Sequence, residues 1–158
     1  MSRTITPAPV RKTVTVAATP QRAFEVFTAG LERWWPRSHS IGKGKLKQAV
    51  LEPREGGRWY GIDDDGSETE WGDVLVWDPP GRLVLAWRIG ADWQYHQDLL
   101  TEVELVFTAQ ADGATRVDLE HRRLENMGAA GEGARAAFDS PNGWGAIMQL
   151  YADVVAAG

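Results

Sequence analysis

Apolar and polar side chains alternate along several short stretches of this chain and recur at helical spacing along others. Arg11-Lys12-Thr13-Val14-Thr15-Val16-Ala17 alternates Thr with Val and predicts a strand. Thr19-Pro20 follows as an N-cap with proline at the first helical position. Ala23, Val26, Phe27 and Gly30 then recur at the spacing of a short amphipathic helix. Trp34-Trp35-Pro36 closes a second short helical turn, and Arg37 to Lys45 reads as a polar, glycine-bearing loop. Beyond it, turn signals arrive at intervals of roughly 8–12 residues, the spacing of an antiparallel sheet. Leu46–Glu52 is a strand ended by Pro53 and Gly56-Gly57. Arg58–Ile62 pairs with Thr69–Trp77 across Asp63-Asp64-Asp65-Gly66, whose Asp-Gly pair suits positive φ. Leu83–Ile89 follows the break at Pro79-Pro80-Gly81, and Glu102–Thr108 and Thr115–His121 form a hairpin about Ala111-Asp112-Gly113-Ala114. Met127–Arg135, rich in Gly and Ala, reads as a loop with a marginal helix. Ser140-Pro141 repeats the cap-then-proline signal. Trp144, Ile147, Met148, Tyr151, Val154 and Val155 then share one face of a long C-terminal helix.

Parity along the strands shows what the sheet must enclose. Val103, Leu105 and Phe107 point one way while Glu102 and Glu104 point the other. Val117, Leu119 and His121 oppose Arg116, Asp118 and Glu120, and Leu83, Leu85 and Trp87 share a face opposite Arg88. A sheet with one polar face needs a cover on the other, and the C-terminal helix supplies it. Along Thr69–Trp77 the alternation puts Trp71, Leu75 and Trp77 against Val74 and Val76 and leaves the inward face open. The fold class is α+β: a curved antiparallel sheet of six or seven strands around a C-terminal helix, with two short helices after the first strand. Residues 1–9 read as a flexible leader and 10–158 as a single domain.

Composition narrows the function classes. The 158 residues carry 17 Lys+Arg against 22 Asp+Glu, a net charge of −5. That balance disfavours a nucleic-acid binder, whose electrostatic footprint is basic. With no cysteine, disulfides, thiolate nucleophiles and thiolate metal sites are excluded. No run is long and apolar enough to span a membrane, and the N-terminus lacks a secretory segment, so a cytoplasmic protein is the expectation. Tryptophan is in surplus, with 8 Trp beside 3 Tyr and 4 Phe. The indole is large and carries an N–H that wants a partner. Eight of them point to a core of large plates or to an aromatic-lined cavity.

Catalytic and metal constellations are sparse. His39, His96 and His121 are far apart, and no His-x-x-x-His pair exists. Of these, His121 is inward by parity at a strand end, either as a buried histidine satisfied by the backbone or as a polar group orienting a ligand. Asp63-Asp64-Asp65-Gly66 fails as a calcium loop because Gly61 and Gly72 stand at the first and last ligand positions. Gly42-Lys43-Gly44-Lys45 lacks phosphate-loop spacing and reads as solvated loop. There is no Gly-x-Ser-x-Gly elbow. Glu68, Glu70, Glu102 and Glu104 fall at a hairpin or on the solvated face rather than in an acid/base pair. Neither a nucleophile nor a base is identified, and no cofactor is implied. Binding outranks catalysis.

Gly56-Gly57-Arg58-Trp59-Tyr60, the Asp-Gly hairpin, Gly72-Asp73-Val74, Asp78-Pro79-Pro80 and Leu83-Val84-Leu85-Ala86-Trp87 resemble the AHSA1-type domain. This is the Hsp90-ATPase-activator homologue branch of the START-like (SRPBCC, Bet v 1-like) superfamily. Ala23-Phe24-Glu25-Val26-Phe27-Thr28, Trp34-Trp35-Pro36, Thr115–His121 and Gly143-Trp144 extend the likeness from about Val10 to the C-terminus. With Gly61-Ile62-Asp63, Trp87-Arg88 and Met127-Gly128, the chain most resembles the calicheamicin-resistance subgroup, whose members are implied to bind an enediyne and be consumed by it. Gly113 is a weak candidate for a sacrificed glycine. The superfamily implies a helix-grip fold with an apolar cavity between sheet and helix. In that cavity Trp35, Trp59, Trp87 and Trp144 would supply aromatic plates, and Leu105, Phe107 and Met148 apolar walls. His121 and Tyr151 would be its polar handles. The expected function is non-enzymatic binding of a small hydrophobic, aromatic or polyketide-like molecule, in resistance or stress response. The alternatives are a co-chaperone-like partner of Hsp90 and a cyclase- or hydrolase-type enzyme using the same cavity.

Overall fold

The computed structural model describes residues 7–37, 39, 41–42 and 44–157. Most of the expected leader, and Ser38, Ser40 and Lys43 of the expected loop, lie outside the described residues. In chain order the elements are β1 (Val10–Val16), α1 (Pro20–Thr28), α2 (Leu31–Trp34), β2 (Leu46–Leu51), β3 (Arg58–Asp63), β4 (Glu68–Asp78), β5 (Arg82–Trp87), β6 (Thr101–Ala109) and β7 (Thr115–Arg122). A 3-10 segment (Leu124–Ala130), α3 (Gly131–Asp139) and α4 (Trp144–Ala156) complete the chain. The strands form one seven-stranded antiparallel sheet in the order β1-β7-β6-β5-β4-β3-β2. It curls about α4, the helix-grip arrangement that strand parity and the helical stripe predict.

Local chemistry places the elements as expected over most of the chain. Thr19 caps α1, its hydroxyl accepting from the Arg22 N–H at 3.3 Å with Pro20 in the first turn. The inward rows meet in register, with Val103 opposite His121, Leu105 opposite Leu119 and Phe107 opposite Val117. These residues are buried, and each pair adds cross-strand contact on the core face. The outer face is laced by ions. Arg122 donates to Glu102, Glu104 and Glu120 at 3.0, 3.0 and 3.1 Å, and Arg58 pairs with Glu68 and Glu70. All four glutamates weighed as an acid/base pair are therefore spent on arginines outside the sheet.

Two bulges settle β4. Register shifts fall between Trp59 and Tyr60 on β3, opposite the extra residue Trp71, and between Val74 and Val76, where Leu75 is extra. Each extra residue resets the alternation. Trp71 and Val74 are consequently both buried, and Trp77 packs against the core from a half-buried position. Gly72 sits inside the first bulge because nothing larger fits: a methyl group there would lie 1.7 Å from the Ala86 carbonyl oxygen.

The last quarter departs from its expectation at two points. Met127–Arg135 is helical nearly throughout, running from the 3-10 segment, kinked within at Gly128 (φ +66°), into α3 from Gly131. Its Gly and Ala content is offset by tertiary contact, since Gly131, Ala134 and Phe138 are buried. Nor does Ser140-Pro141 start α4. The N-cap is Gly143, and the Ser140 hydroxyl instead donates back to the Ala137 carbonyl at 2.6 Å, closing α3. The expected inner face of α4 holds, with Trp144, Ile147, Met148, Tyr151 and Val155 buried. Ahead of β1, Pro7 is buried beside Gly131, and the Ala8 carbonyl accepts from Arg135 at 2.8 Å.

Candidate functional site

A cleft of about 350 Å3 opens between α4, α3, the C-terminal ends of β5 and α2, and the loop that follows α2. Its wall divides by burial. Trp35, Trp71, Trp87, Ile89, Phe138, Trp144 and Ile147 form a buried floor. Trp93, Ala137 and Asn142 form an exposed rim, joined by half-buried His39, Ile41 and Ser140. The polar side chains of the wall, His39, Ser140 and Asn142, thus stand at one side of the mouth. A shallower apolar groove lined by Phe24, Pro53, Trp77, Pro79 and Pro80 lies at the opposite end of β4 and β5.

Each floor indole is fixed by its own element. Trp35 ends α2 and donates to the His39 carbonyl at 2.9 Å. Trp87 ends β5 and donates to the Ile89 carbonyl at 3.0 Å. Trp71 is thrust inward by its bulge over Gly61, where a methyl would come within 2.7 Å of the ring. The rings pack against one another, Trp35 with Trp71 at 5.3 Å and Trp87 with Trp144 at 5.6 Å between centroids, in the tilted and edge-to-face arrangements aromatic pairs prefer. The indole N–H groups of Trp59 and Trp71 are buried without a hydrogen-bond acceptor among the described residues, a desolvation cost of about 1–3 kcal/mol each.

The fourth floor indole, Trp144, donates its N–H to Nδ1 of His121 at 3.0 Å. Nε2 of His121 lies 2.9 Å from the Thr101 hydroxyl, which donates its own proton to the Trp87 carbonyl at 2.8 Å. The chain of donors admits one assignment: Nδ1 accepts, Nε2–H donates, and the imidazole is neutral. Burial without a charged partner pushes its pKa down to about 3. Phe138 stacks on the ring at 4.6 Å. His121 therefore has neither a free nitrogen nor a carboxylate partner, and it acts on the cleft by positioning Trp144.

The loop carrying His39 and Ile41 is pinned from beneath. Asp63, buried at the end of β3, accepts from the Gly44 N–H at 3.1 Å, and the Asp64 N–H donates to the Lys45 carbonyl at 2.8 Å. On that polar side of the mouth, Nε2–H of His39 donates to the Asn142 carbonyl at 2.8 Å.

Of the nine residues named from sequence, Trp35, Trp87 and Trp144 line the cleft. Trp59 stands behind Trp35 and Trp87, 5.9 and 5.6 Å away between centroids, and His121 stands behind Trp144. Leu105, Phe107, Met148 and Tyr151 are packed in the core away from the cleft wall. Tyr151 directs its hydroxyl to the Ala23 carbonyl at 2.6 Å. Trp34, beside Trp35 in the chain, is buried and donates its indole N–H to the Val26 carbonyl. Trp71, Trp93, Phe138 and Ile147 also line the wall, outside that set of nine. Trp71 was hidden by its bulge and Trp93 by its polar neighbours, whereas Phe138 had a signal in the apolar spacing of α3. Among the described residues no three His, Asp or Glu side chains converge as metal ligands do.

Residues 17–154 match the family described as Activator of Hsp90 ATPase homolog 1-like protein. Among solved structures, an anthrahydroquino-gamma-pyrone synthase, Txn09, complexed with SUM, is 40% identical, with 94% of this chain and 97% of that chain covered at a TM-score of 0.66. The self-sacrificing resistance protein CalC from Micromonospora echinospora is 33% identical, with 93% of each chain covered at a TM-score of 0.70. An HSP90 activator from Plasmodium falciparum shares the fold at 18% identity and a TM-score of 0.51, over 72% of this chain and 71% of that one. No curated protein matches the sequence. The motifs, the helix-grip sheet and these matches agree, and the chain belongs to the Activator of Hsp90 ATPase homolog 1-like family.

Proposed function

We propose that the protein binds a planar, fused-ring aromatic small molecule of polyketide type in the tryptophan-floored cleft. The observation that carries this reading is the division of the wall: four buried indoles beneath, polar groups only at the mouth. A volume near 350 Å3 falls at the lower end of the roughly 300–1,000 Å3 typical of small-molecule sites, which suits a compact, flat ligand. Two relatives above 30% identity are named for synthesis of an anthrahydroquino-γ-pyrone and for self-sacrificing resistance, and the first name fits such a ligand. Binding and sequestration rank ahead of chemistry because both nitrogens of His121 are engaged and no carboxylate lines the cleft among the described residues.

The test is calorimetric titration with emodin, a planar trihydroxyanthraquinone, against the natural protein and Ala137→Trp. Ala137 is exposed on α3 and lines the cleft, so a bulky ring there fills the space without entering the core. Saturable binding lost in the variant supports the reading, and binding unaffected by it would overturn it.

The likeness to a synthase favours a second reading, in which the cleft is a reaction chamber. His39, the titratable side chain on its wall, is then the group positioned to move a proton, and turnover of a polyketide precursor lost in His39→Ala would establish it. The family's description raises a chaperone partner as well, which an ATPase assay on purified Hsp90 with and without this protein decides.

A further inference from the structure

Among the tryptophans on the cleft wall, Trp93 stands apart. It is 52% exposed, while Trp35, Trp71, Trp87 and Trp144 are between 1% and 6%. Its backbone is left-handed at φ +59°, a conformation that costs a residue with a side chain about 1–2 kcal/mol. An indole half in water contributes little to the core, so folding does not explain why this residue occupies a strained position.

The surrounding turn is built to hold it there. The Trp93 N–H donates to the Gly90 carbonyl, and the Gly90 N–H to the Gln94 carbonyl, both at 2.9 Å. Ile89 and Tyr95 bridge the base of the turn. Asp92 accepts from the Gln94 N–H at 3.1 Å and from Nε2 of His96 at 2.8 Å. Gly90 leaves the room this needs, since a methyl there would meet Asp92 Oδ1 at 2.8 Å and the His96 ring at 2.9 Å. Four hydrogen bonds and the Ile89–Tyr95 bridge thus over-determine a strained residue at the mouth of a cavity, the pattern of a functional position. Among the described residues Phe138 is the ring that meets Trp93, edge-on at 6.1 Å and 87°, so the indole is not stacked on it.

We infer that Trp93 is the mouth-side stacking residue of the cleft, laid against the outer ring of a fused aromatic ligand whose inner rings rest on the buried indoles. This rests on the cleft binding an aromatic molecule. It adds an orientation: the ligand's polar end lies outward, beside Ser140 and Asn142, and Asp92 and His96 serve as positioning residues for the turn. The class of ligand is an aromatic with an apolar fused core and hydroxyl or glycosyl substituents at one end.

The experiment is the emodin titration by calorimetry with Trp93→Ala, Trp93→Phe and the cleft-filling Ala137→Trp beside the natural protein. Trp93→Ala should weaken Kd about tenfold, and Trp93→Phe less than about threefold, as expected for loss and retention of one stacking face. The melting temperature of unliganded Trp93→Ala should not fall, which separates a binding role from a structural one. If Trp93→Ala binds as tightly as the natural protein while Ala137→Trp does not bind, the inference about Trp93 is overturned and the cleft stands. If Ala137→Trp changes nothing, or the natural protein takes up no emodin, the cleft reading fails and this inference with it.

Discussion

Trp144 and His121 are joined by a single hydrogen bond of 3.0 Å that ties the first turn of α4 to the last strand of the sheet. It fixes one indole of the cleft floor through a histidine that never reaches the cleft. The imidazole in turn leans on Thr101 and, through it, on the end of β5 that carries Trp87. Two of the four floor indoles therefore share one buried polar chain, and the floor is as rigid as that chain.

His121→Phe keeps an aromatic ring against Phe138 but removes both hydrogen bonds, leaving the Trp144 N–H buried and unpaired. The expected loss is about 1–3 kcal/mol, read from urea denaturation midpoints. Emodin affinity should fall as well, because the Trp144 ring loses its tether. Unchanged stability would mean that the chain of donors contributes nothing to the fold.

The same histidine sets an acid limit. Its ordinary pKa is near 6.5 and its buried value about 3, so between these the unfolded chain binds a proton that the native one does not. Its contribution is fully present above pH 6.5 and declines as pH falls toward 3. From pH 7 to pH 5 the loss from this group is about 2 kcal/mol. The ring faces Trp87, Phe138, Trp144 and Thr101, with no charge among them to offset the effect. Asp65, held below its ordinary carboxylate value by hydrogen bonds from Ser67, and Asp92, Glu120 and Asp139, held below theirs by hydrogen bonds and neighbouring cations, act only at lower pH. The natural protein should lose stability over this interval, and His121→Phe should lose much less.

Gly61 and Gly72 are predicted to respond differently to the same change. Gly72→Ala drives a methyl into the Ala86 carbonyl and should cost more than about 3 kcal/mol, because backbone cannot yield. Gly61→Ala meets the edges of Trp71 and Leu46 at 2.7 and 2.9 Å, side chains that can shift, and should cost about 1–3 kcal/mol. Since Trp71 moves into the cleft floor, Gly61→Ala should also weaken emodin binding. Thermal unfolding and calorimetry on the two variants separate these outcomes.

Tyr151→Phe distinguishes core from site. Its hydroxyl bonds to the Ala23 carbonyl and lines no part of the cleft. The substitution should cost about 1 kcal/mol of stability and leave emodin affinity unchanged. A tenfold loss of affinity would place Tyr151 in the site after all.

The inward rows of β6 and β7, the cap of α1 and the inner face of α4 were all legible, because each depends on residues two, three or four positions apart. Trp71 was not, since an extra residue in a bulge reverses parity for everything beyond it and leaves no mark in the alternation. Trp93 was not either, because it sits among charged and polar neighbours and owes its place at the mouth to a turn closed by Asp92 and His96. The beginning of α4 was misread for a related reason. Ser140-Pro141 carries a helix-start signal, but the Ser140 hydroxyl is drawn back to α3, and Gly143 begins the helix instead.

Alternation and helical spacing, which are local, determined that this chain makes a one-faced sheet with a helix to cover it, and the tryptophan surplus announced an aromatic interior. Which indoles bound empty space was decided only in three dimensions. A cleft exists where packing stops, and where it stops depends on the bulges in β4, the position of α3 and the buried bonds of His121 and Asp63. Leu105, Phe107, Met148 and Tyr151 follow the same inward pattern as Trp87 and Trp144 but lie where sheet and helix meet closely. Trp35, Trp71, Trp87 and Trp144 lie where they part.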